Sequence, residues 1–273
     1  MTENETVASH GKFEKSVNPF GTIKHVVAVM SGKGGVGKSS VTALLAVALH
    51  SRGLSVGILD ADVTGPSIPK LFGVKGQVFN NGLGLEPLQS ALGIKLMSIN
   101  FLLEKEDQPV IWRGPMISGV VKQFFEEVTW GDLDYLLIDL PPGTGDVPLT
   151  VMQSLPLDGM IVVSSPQELV ELIVKKAVHM AEQMQIPILG LIENYSYLEC
   201  PDCKKKINVF GESRAEQVAS SAGLTLFGKL PIVSKVASLA DEGNIEAVET
   251  VVPGFFDSIA ESFLAGIGKI KQG

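Results

Sequence analysis

Apolar and polar residues alternate along this chain in blocks that predict strands followed by helices. Short runs of consecutive apolar residues are typical of strands buried on both faces, and the longer segments between them carry apolar residues at helical spacing. Strands are predicted at 25–30, 55–59, 95–99, 135–139, 159–164, 188–192 and 224–230, and helices at 41–49, 68–72, 118–128, 168–184, 212–222 and from 233 onward. This alternation predicts an α/β fold, a doubly wound and mainly parallel sheet flanked by helices.

The first predicted strand leads into a glycine-rich stretch that begins the first helix. Gly32 is followed, after four residues, by Gly37-Lys38-Ser39, which is the spacing of a phosphate-binding loop. In such a loop the backbone amides surround phosphate oxygens, the lysine reaches the β- and γ-phosphates and the serine hydroxyl ligates Mg²⁺. A P-loop NTPase fold is therefore predicted, with the nucleotide held by Gly32, Lys33, Gly34, Gly35, Val36, Gly37, Lys38, Ser39 and Ser40.

A second lysine inside the loop, Lys33, narrows the class of P-loop. With it the loop resembles the deviant Walker A loop of the ParA/MinD family of ATPases. In that family the early lysine reaches across a dimer interface to the nucleotide of the partner. The resemblance implies a homodimer that sandwiches two nucleotides, and catalytic roles for Lys33 and Lys38.

Three aspartates stand at the ends of predicted strands, where the ligand crevice of an open α/β sheet lies. Asp139 ends the strand 135–139 in the Walker B position and is predicted to hold the Mg²⁺ shell across from Ser39. We expect Asp62 to position or polarise the attacking water, and Asp60 to lie nearer the Mg²⁺ shell. Taken alone, either of these two is better explained as a helix cap or a turn residue, but the nearby loop and the family pattern favour the catalytic interpretation.

Asn194 follows the predicted strand 188–192 and is a candidate for recognising the nucleotide base. An asparagine there presents both halves of its amide to an adenine edge, and members of the family use this position for the base. Taken alone it is a turn residue at a strand end. Because no guanine-selecting signal follows this strand, ATP is the predicted nucleotide.

The whole chain of 273 residues is long enough for one large core, and we predict a single ATPase domain over 25–273 after a flexible polar arm over 1–24. The arm lacks the apolar core of a signal peptide, and no apolar stretch approaches the length of a membrane span. A cytoplasmic protein with no integral membrane segment is expected. The net charge of −8 disfavours stable binding to nucleic acid.

Cys200 and Cys203 are the two cysteines of the chain and form a C-x-x-C pair within a predicted insertion near 195–210. Zinc and iron–sulfur clusters commonly take four protein ligands, and the histidines show no ligand spacing to this pair. A second copy of the loop across a two-fold axis would supply the two missing thiolates. A bridging cluster is the first interpretation, zinc the second and dithiol redox chemistry the third.

Together these motifs resemble the Mrp/ApbC family of iron–sulfur cluster carrier ATPases. The resemblance covers about 25–243 and rests on the loop at 31–39, Asp60 to Ser67, the motif 112–115, the segment 137–146, and Glu193-Asn194 with the C-x-x-C pair. It implies a homodimer that holds a labile 4Fe-4S cluster between two C-x-x-C pairs. It also implies slow ATP hydrolysis coupled to transfer of the cluster to apo-proteins.

The alternative function is that of a positioning ATPase like MinD or ParA, with a membrane or DNA partner and a structural zinc at the cysteines. It depends on an apolar stripe near the C-terminus: Phe255, Phe256, Ile259, Phe263, Ile267 and Ile270. Such a stripe is typical of an interfacial membrane anchor, and more often of a helix packed on its own sheet. The positioning role by itself does not explain the two cysteines, which is why the zinc has to be added.

Overall fold

The computed structural model describes residues 16–62, 65, 67–102, 114–166 and 170–270. The motif residues Trp112 and Arg113 and the first fifteen residues of the predicted arm lie outside the described residues.

Within the described residues, the strands form one mixed sheet. They are β1 Ile23–Ser31, β2 Val56–Asp60, β3 Leu88–Gln89, β4 Lys95–Ser98, β5 Leu133–Asp139, β6 Gly159–Ser164, β7 Ile188–Glu199, β8 Lys206–Ile207 and β9 Leu226–Ile232. The order across the sheet is β3-β4-β2-β5-β1-β6-β7, and β7 pairs with both β8 and β9. The pairs β3–β4 and β7–β8 are antiparallel, and the other pairs are parallel.

Helices cover both faces of this sheet, as the predicted doubly wound fold requires. They are α1 Lys38–His50, α2 Ile68–Leu71, α3 Gly114–Glu127, α4 Asp146–Ser154, α5 Val170–Met184, α6 Ala215–Ser221, α7 Ser234–Asp241, α8 Val248–Val251 and α9 Asp257–Ile270. Buried residues of α1, α2, α7, α8 and α9 form one core, and those of α3, α4, α5 and α6 form the other. The predicted fold class is confirmed.

Strand β7 and helix α4 are among the elements that differ from the sequence prediction. Strand β7 continues to Glu199, beyond the predicted end at residue 192. The reason is that residues of β7 after 192 still pair with β9, and its last two residues pair with β8. Helix α4 was not predicted, since the segment that follows the Walker B strand is rich in glycine and proline. The glycine-rich part ends at Gly145, and Asp146 then lies in the first turn of α4, where an acid interacts favourably with the helix dipole.

The predicted boundary between arm and domain is too late. Strand β1 begins at Ile23, and residues before it already bond to the helical layer. Ser16 is buried and donates its hydroxyl proton to the Ser154 carbonyl at 2.8 Å. The Asn18 amide donates to the carbonyls of Phe125 and Val128. Ser16 and Asn18 therefore attach this part of the predicted arm to α3, α4 and the turn after α3.

The C-terminal apolar stripe belongs to the core. Phe256, Ile259, Phe263 and Ile267 are buried against the sheet, whereas Ile270 is 37% exposed. The stripe therefore forms no exposed apolar face that could enter a membrane surface. In the part of the chain that the structure describes, no helix has both the length and the apolar content to cross a membrane.

Candidate nucleotide and cysteine sites

The fold brings the predicted nucleotide residues together at one edge of the sheet. Strands β1, β2 and β5 are parallel neighbours, so their carboxyl ends meet at this edge. The P-loop, defined here as residues 32–39, follows β1, and Asp60 and Asp139 are register partners at the ends of β2 and β5. This is the expected position of a ligand crevice in such a sheet.

The P-loop has the backbone of a phosphate cradle. Gly35 and Gly37 have φ angles of 85° and 78°, a region that favours glycine. Among the described residues, the amides of Gly34, Gly35 and Gly37 have no acceptor in the protein. A Cβ added at Gly34 or Gly35 would meet no atom within 4 Å, so these residues face open space. Unpaired amides at the start of α1 fit a phosphate group.

Lys38 and Ser39 converge on one oxygen of Asp139. Lys38 Nζ lies 2.7 Å from Asp139 Oδ2, and Ser39 Oγ donates to the same oxygen at 2.5 Å. Lys38 and Asp139 are both buried, so their attraction is little screened by water. The three residues predicted to act on phosphate and Mg²⁺ therefore face one another, and their donor set fits a magnesium nucleotide.

Thr42 completes this group and was not predicted from the sequence. Its Oγ1 lies 2.7 Å from Asp139 Oδ1 and 3.0 Å from the Lys38 carbonyl, and its single proton is donated to one of them at a time. Thr42 lies one helical turn after Lys38 on the same face of α1, and this spacing is the signal that could have identified it.

Asp60 and Asp62 occupy different environments. Asp60 Oδ1 accepts the Asp62 amide, and its Oδ2 accepts the Ile68 amide and the Ser98 hydroxyl. Burial, and then the Asp139 carboxylate, raise the pKa of Asp60 well above its ordinary value. Asp60 thus holds the turn that presents Asp62, which is also largely buried. The magnesium role of Asp60 and the water-positioning role of Asp62 stay predictions.

Asn194 and Tyr195 contact the P-loop directly. Asn194 Nδ2 donates to the Val36 carbonyl at 3.0 Å, and Asn194 Oδ1 accepts the Tyr195 amide. A Cβ at Gly37 would lie 2.3 Å from Asn194 Nδ2 and 2.7 Å from Tyr195 Oη. The Asn194 amide is beside the loop, as expected, and its predicted contact with adenine stays a prediction.

The remaining loop residue, Lys33, is exposed, and its carbonyl accepts the Ser31 hydroxyl at 2.9 Å. Its predicted contact with a partner nucleotide, like the parts assigned to Gly32 and Ser40, stays a prediction.

Cys200 and Cys203 lie in the turn between β7 and β8, a segment called here the cysteine hairpin (residues 198–207). The turn is closed by the Cys200 amide on the Lys205 carbonyl and the Lys204 amide on the Cys200 carbonyl, both at 3.0 Å. Both thiols are free, and Cys203 is exposed. Hydrogen bonds from the Cys203 amide, then from the Asp202 amide and the Cys203 thiol, lower the pKa of the Cys200 thiol. The turn therefore favours the thiolate that metals and clusters bind.

Several apolar side chains near the cysteines in the chain are exposed at the surface. Those exposed on the hairpin and just after it are Leu198, Ile207, Val209 and Phe210. Lys206 lies over the Tyr197 ring, with Nζ 4.3 Å from the ring centroid. Among the described residues, no group of three or more His, Cys, Asp or Glu side chains is placed to hold a metal ion. Within the described residues, the two thiols therefore have no third such side chain placed with them to complete a metal site.

A P-loop on a doubly wound sheet, with Lys38, Ser39 and Asp139 in contact, defines a P-loop NTPase. The family model described as NUBPL iron-transfer P-loop NTPase matches residues 22–263, and the chain belongs to this family. The resemblance to iron–sulfur cluster carrier ATPases of the ParA/MinD type is thereby confirmed.

Named relatives agree with this assignment. The iron-sulfur cluster carrier protein of Clostridium perfringens is 48% identical over 235 residues, which cover 83% of this chain and 82% of the relative. The protein of the same name from Methanocaldococcus jannaschii is 49% identical over 223 residues, with 81% and 77% covered.

Solved structures of similar proteins extend the comparison. A nucleotide-binding protein of Archaeoglobus fulgidus, solved in complex with ADP and with cobalt found in it, is 50% identical with a TM-score of 0.75, and 82% of this chain and 88% of that chain are covered. The cell division ATPase MinD of Pyrococcus furiosus has a TM-score of 0.59, with 89% and 99% covered. At 18% identity it shows that the fold is shared.

Proposed function

We propose that this protein is an ATP-hydrolysing carrier that holds a labile 4Fe-4S cluster at a homodimer interface and delivers it to apo-proteins. The proposal rests on the observation that strand β7 connects the P-loop to the cysteines. Its residue Asn194 contacts the P-loop, and the same strand ends at the cysteine hairpin, where two free thiols are presented at the surface.

The homodimer follows from the number of thiolates. A cluster with four cysteine ligands needs two more thiolates than one chain has, and a two-fold axis beside the hairpin supplies them from an identical copy. The exposed apolar side chains next to the cysteines suit burial between two such hairpins. The acidic net charge of −8 gives no support for a nucleic-acid partner, and a cytoplasmic location suits two reduced cysteines.

In this proposal, slow ATP hydrolysis is catalysed by residues at the edge of the sheet where the P-loop lies. Lys38 neutralises charge on the β- and γ-phosphates, and Ser39 with Asp139 holds the magnesium shell. Bound Mg²⁺ supplies further neutralisation of the phosphate charge. Asp62, fixed by the Asp60 carboxylate, positions the attacking water. Lys33, exposed at the mouth of the loop, acts on the nucleotide of the second copy.

The cluster is tested by analysis of protein purified without oxygen. Iron, acid-labile sulfide and zinc are measured per dimer, together with the visible spectrum, for the wild type and for a Cys200→Ala/Cys203→Ala variant. About four iron and four sulfide per dimer, absent from the variant, are expected. Light scattering of the same samples reports whether the cluster-loaded form is a dimer.

Delivery is tested with an apo-protein that takes a 4Fe-4S cluster, followed by its own spectrum, in the presence and absence of ATP. Stoichiometric zinc, or no metal after anaerobic reconstitution, would contradict the carrier function and favour a structural zinc site. The Lys38→Ala variant separates the two activities, because it should lose ATP hydrolysis and still bind the cluster.

A further inference from the structure

The segment of β7 next to the P-loop contains a bulge, defined here as residues 193–197. In the pairing of β7 with β9, Glu193 faces Lys229 and Tyr197 faces Pro231, so β7 carries extra residues at this point. Tyr195 has a φ of 57°, which is uncommon for a bulky residue. Bulges and such φ values often occur at functional sites, where surrounding contacts hold an unfavourable conformation.

The bulge packs on the P-loop backbone with no free space. A Cβ at Gly37 would overlap Asn194 Nδ2 and Tyr195 Oη, and the Val36 carbonyl accepts the Asn194 amide. A movement of the Val36–Gly37 backbone towards β7 would therefore displace Asn194 or Tyr195. From this contact β7 runs on to Glu199, and Cys200 follows directly.

Two buried polar groups beside the bulge have no partner among the residues that the structure describes. One is Glu193 Oε1, a hydrogen-bond acceptor, and the other is Ser164 Oγ, which carries a donor proton. Both residues are fully buried, and they are register partners on β6 and β7, so their side chains leave the sheet on the same face. An unpaired buried polar group costs about 1–3 kcal/mol, so a rearrangement that joins these two would recover stability.

In the structure, Glu193 is hydrogen-bonded to another serine, Ser196. Glu193 Oε2 accepts the Ser196 hydroxyl at 2.6 Å, across the left-handed residue Tyr195. Glu193 therefore has one carboxylate oxygen bonded to the Ser196 hydroxyl, while its other oxygen and the hydroxyl of its register partner Ser164 are unpaired among the described residues.

We infer that the bulge is a switch that transmits the state of the P-loop to the cysteine hairpin. In the arrangement observed, Glu193 is bonded to Ser196 and the bulge is closed. In a second arrangement, the bond from Ser196 to Glu193 is broken and the bulge relaxes. Glu193 Oε1 then accepts the Ser164 hydroxyl, and the strand that leads to Cys200 shifts. Glu193, Ser164 and Ser196 are positioning residues in this device, which regulates the site of the proposed carrier function and rests on that function.

The inference is tested on metal-free protein by the rate at which Cys200 and Cys203 react with a thiol reagent, with and without Mg²⁺-ADP. Samples are kept at a concentration at which light scattering gives the same oligomeric state under both conditions. For the wild type we expect ADP to change the rate constant by at least about fivefold, the lower end of common coupling between two sites.

Two variants should respond in opposite ways. Ser164→Ala removes a buried donor that is unpaired in the observed arrangement, so stability should be equal to or higher than that of the wild type and ADP affinity should stay near it, while the effect of ADP on the thiols is lost. Ser196→Ala removes the bond that closes the bulge, so its thiols should react without ADP at the rate that the wild type reaches with ADP.

An unchanged thiol rate in the wild type on addition of ADP would overturn the inference. A Ser164→Ala variant with the full response would overturn it as well, even if Ser196→Ala did not fold. The measurement needs no cluster, whereas the carrier function is tested by iron and sulfide content. The switch and the proposed function can therefore fail separately.

Discussion

The Thr42 hydroxyl lies 2.7 Å from Oδ1 of Asp139, and Lys38 and Ser39 contact the other oxygen of the same carboxylate. Asp139 is fully buried, so its orientation depends on donors from α1. Thr42 is the one among these three that is not expected to touch the nucleotide. It is thus placed to fix the carboxylate while Lys38 and Ser39 act on phosphate and magnesium.

Substitution of Thr42 by valine keeps its shape and removes this donor. We expect ATP hydrolysis to fall by about tenfold, which corresponds to one hydrogen bond to a charged group. Steady-state phosphate release measures the effect, and Thr42→Ser, which keeps the hydroxyl, is the control. If Thr42→Val hydrolyses ATP as fast as Thr42→Ser, Thr42 does not position Asp139.

Phe263 and Ile270 distinguish a core helix from a membrane anchor in α9. Phe263 is fully buried, so Phe263→Ala should lower the free energy of unfolding by about 3–5 kcal/mol. Ile270 is 37% exposed, and Ile270→Ala should change the free energy of unfolding by less than about 0.5 kcal/mol. Urea unfolding measures both variants. ATP-dependent co-sedimentation of the folded wild type with anionic vesicles would contradict the assignment of α9 to the core.

Much of the fold could be predicted from the sequence because its signals are local. Consecutive apolar residues mark the buried parallel strands, and glycine spacing marks the loop after β1. The covering of the sheet on both faces follows from general rules of α/β proteins, whereas the order of the strands was not predicted. Helix α4 and the extension of β7 were missed because each depends on tertiary contacts: α4 packs on α3, and the end of β7 pairs with β8 and β9.

The sequence predicted the parts of the site that belong to a single motif. It did not predict the contacts between residues that are distant in the chain. Lys38, Ser39 and Asp139 were identified by spacing and strand position. The contact of Asn194 and Tyr195 with Gly37 joins strand β7 to the P-loop, which is far away in the chain, and no local pattern indicates it. The unpaired Ser164 and Glu193 side chains depend equally on the register of β6 and β7.

Asp134 joins the starting ends of three strands and should contribute to the pH dependence of stability. Its Oδ1 accepts the Lys24 ammonium at 2.7 Å and its Oδ2 accepts the Ser55 amide at 2.8 Å. These hydrogen bonds, that of Lys24 first, lower the pKa of Asp134 below its ordinary value of 3.8. A group with a lowered pKa stabilises the folded state above its ordinary pKa, and this stabilisation is lost as the pH falls through the folded value.

We therefore expect Asp134→Asn to lower the free energy of unfolding by about 1 kcal/mol at neutral pH. The difference from the wild type should shrink as the pH falls below 3.8. Urea unfolding at a series of pH values measures it, with Lys24→Gln as the partner variant that removes one of the two hydrogen bonds. A difference that stays constant across the acidic range would show that the charge of Asp134 is not what stabilises the fold.

Gly37 and Gly34 lie in the same loop, but a side chain can be added without a clash only at Gly34. Gly37 has a φ of 78°, and a Cβ there would overlap Asn194 Nδ2 and Tyr195 Oη. Gly37→Ala should lose at least about 1–2 kcal/mol of stability from the left-handed backbone alone. It should also weaken ADP binding, because the overlap displaces either the P-loop or the bulge of β7.

Gly34→Ala is the matched control, since a Cβ at Gly34 meets no atom within 4 Å and its stability should stay within about 0.5 kcal/mol of the wild type. Thermal unfolding and the affinity for a fluorescent ADP analogue measure both variants. Because Gly37→Ala forces the loop against Asn194 and Tyr195, it should also change the reactivity of the thiols of the cysteine hairpin in the absence of nucleotide. Equal stability and equal thiol reactivity in the two variants would show that the P-loop and β7 are not in close contact at Gly37.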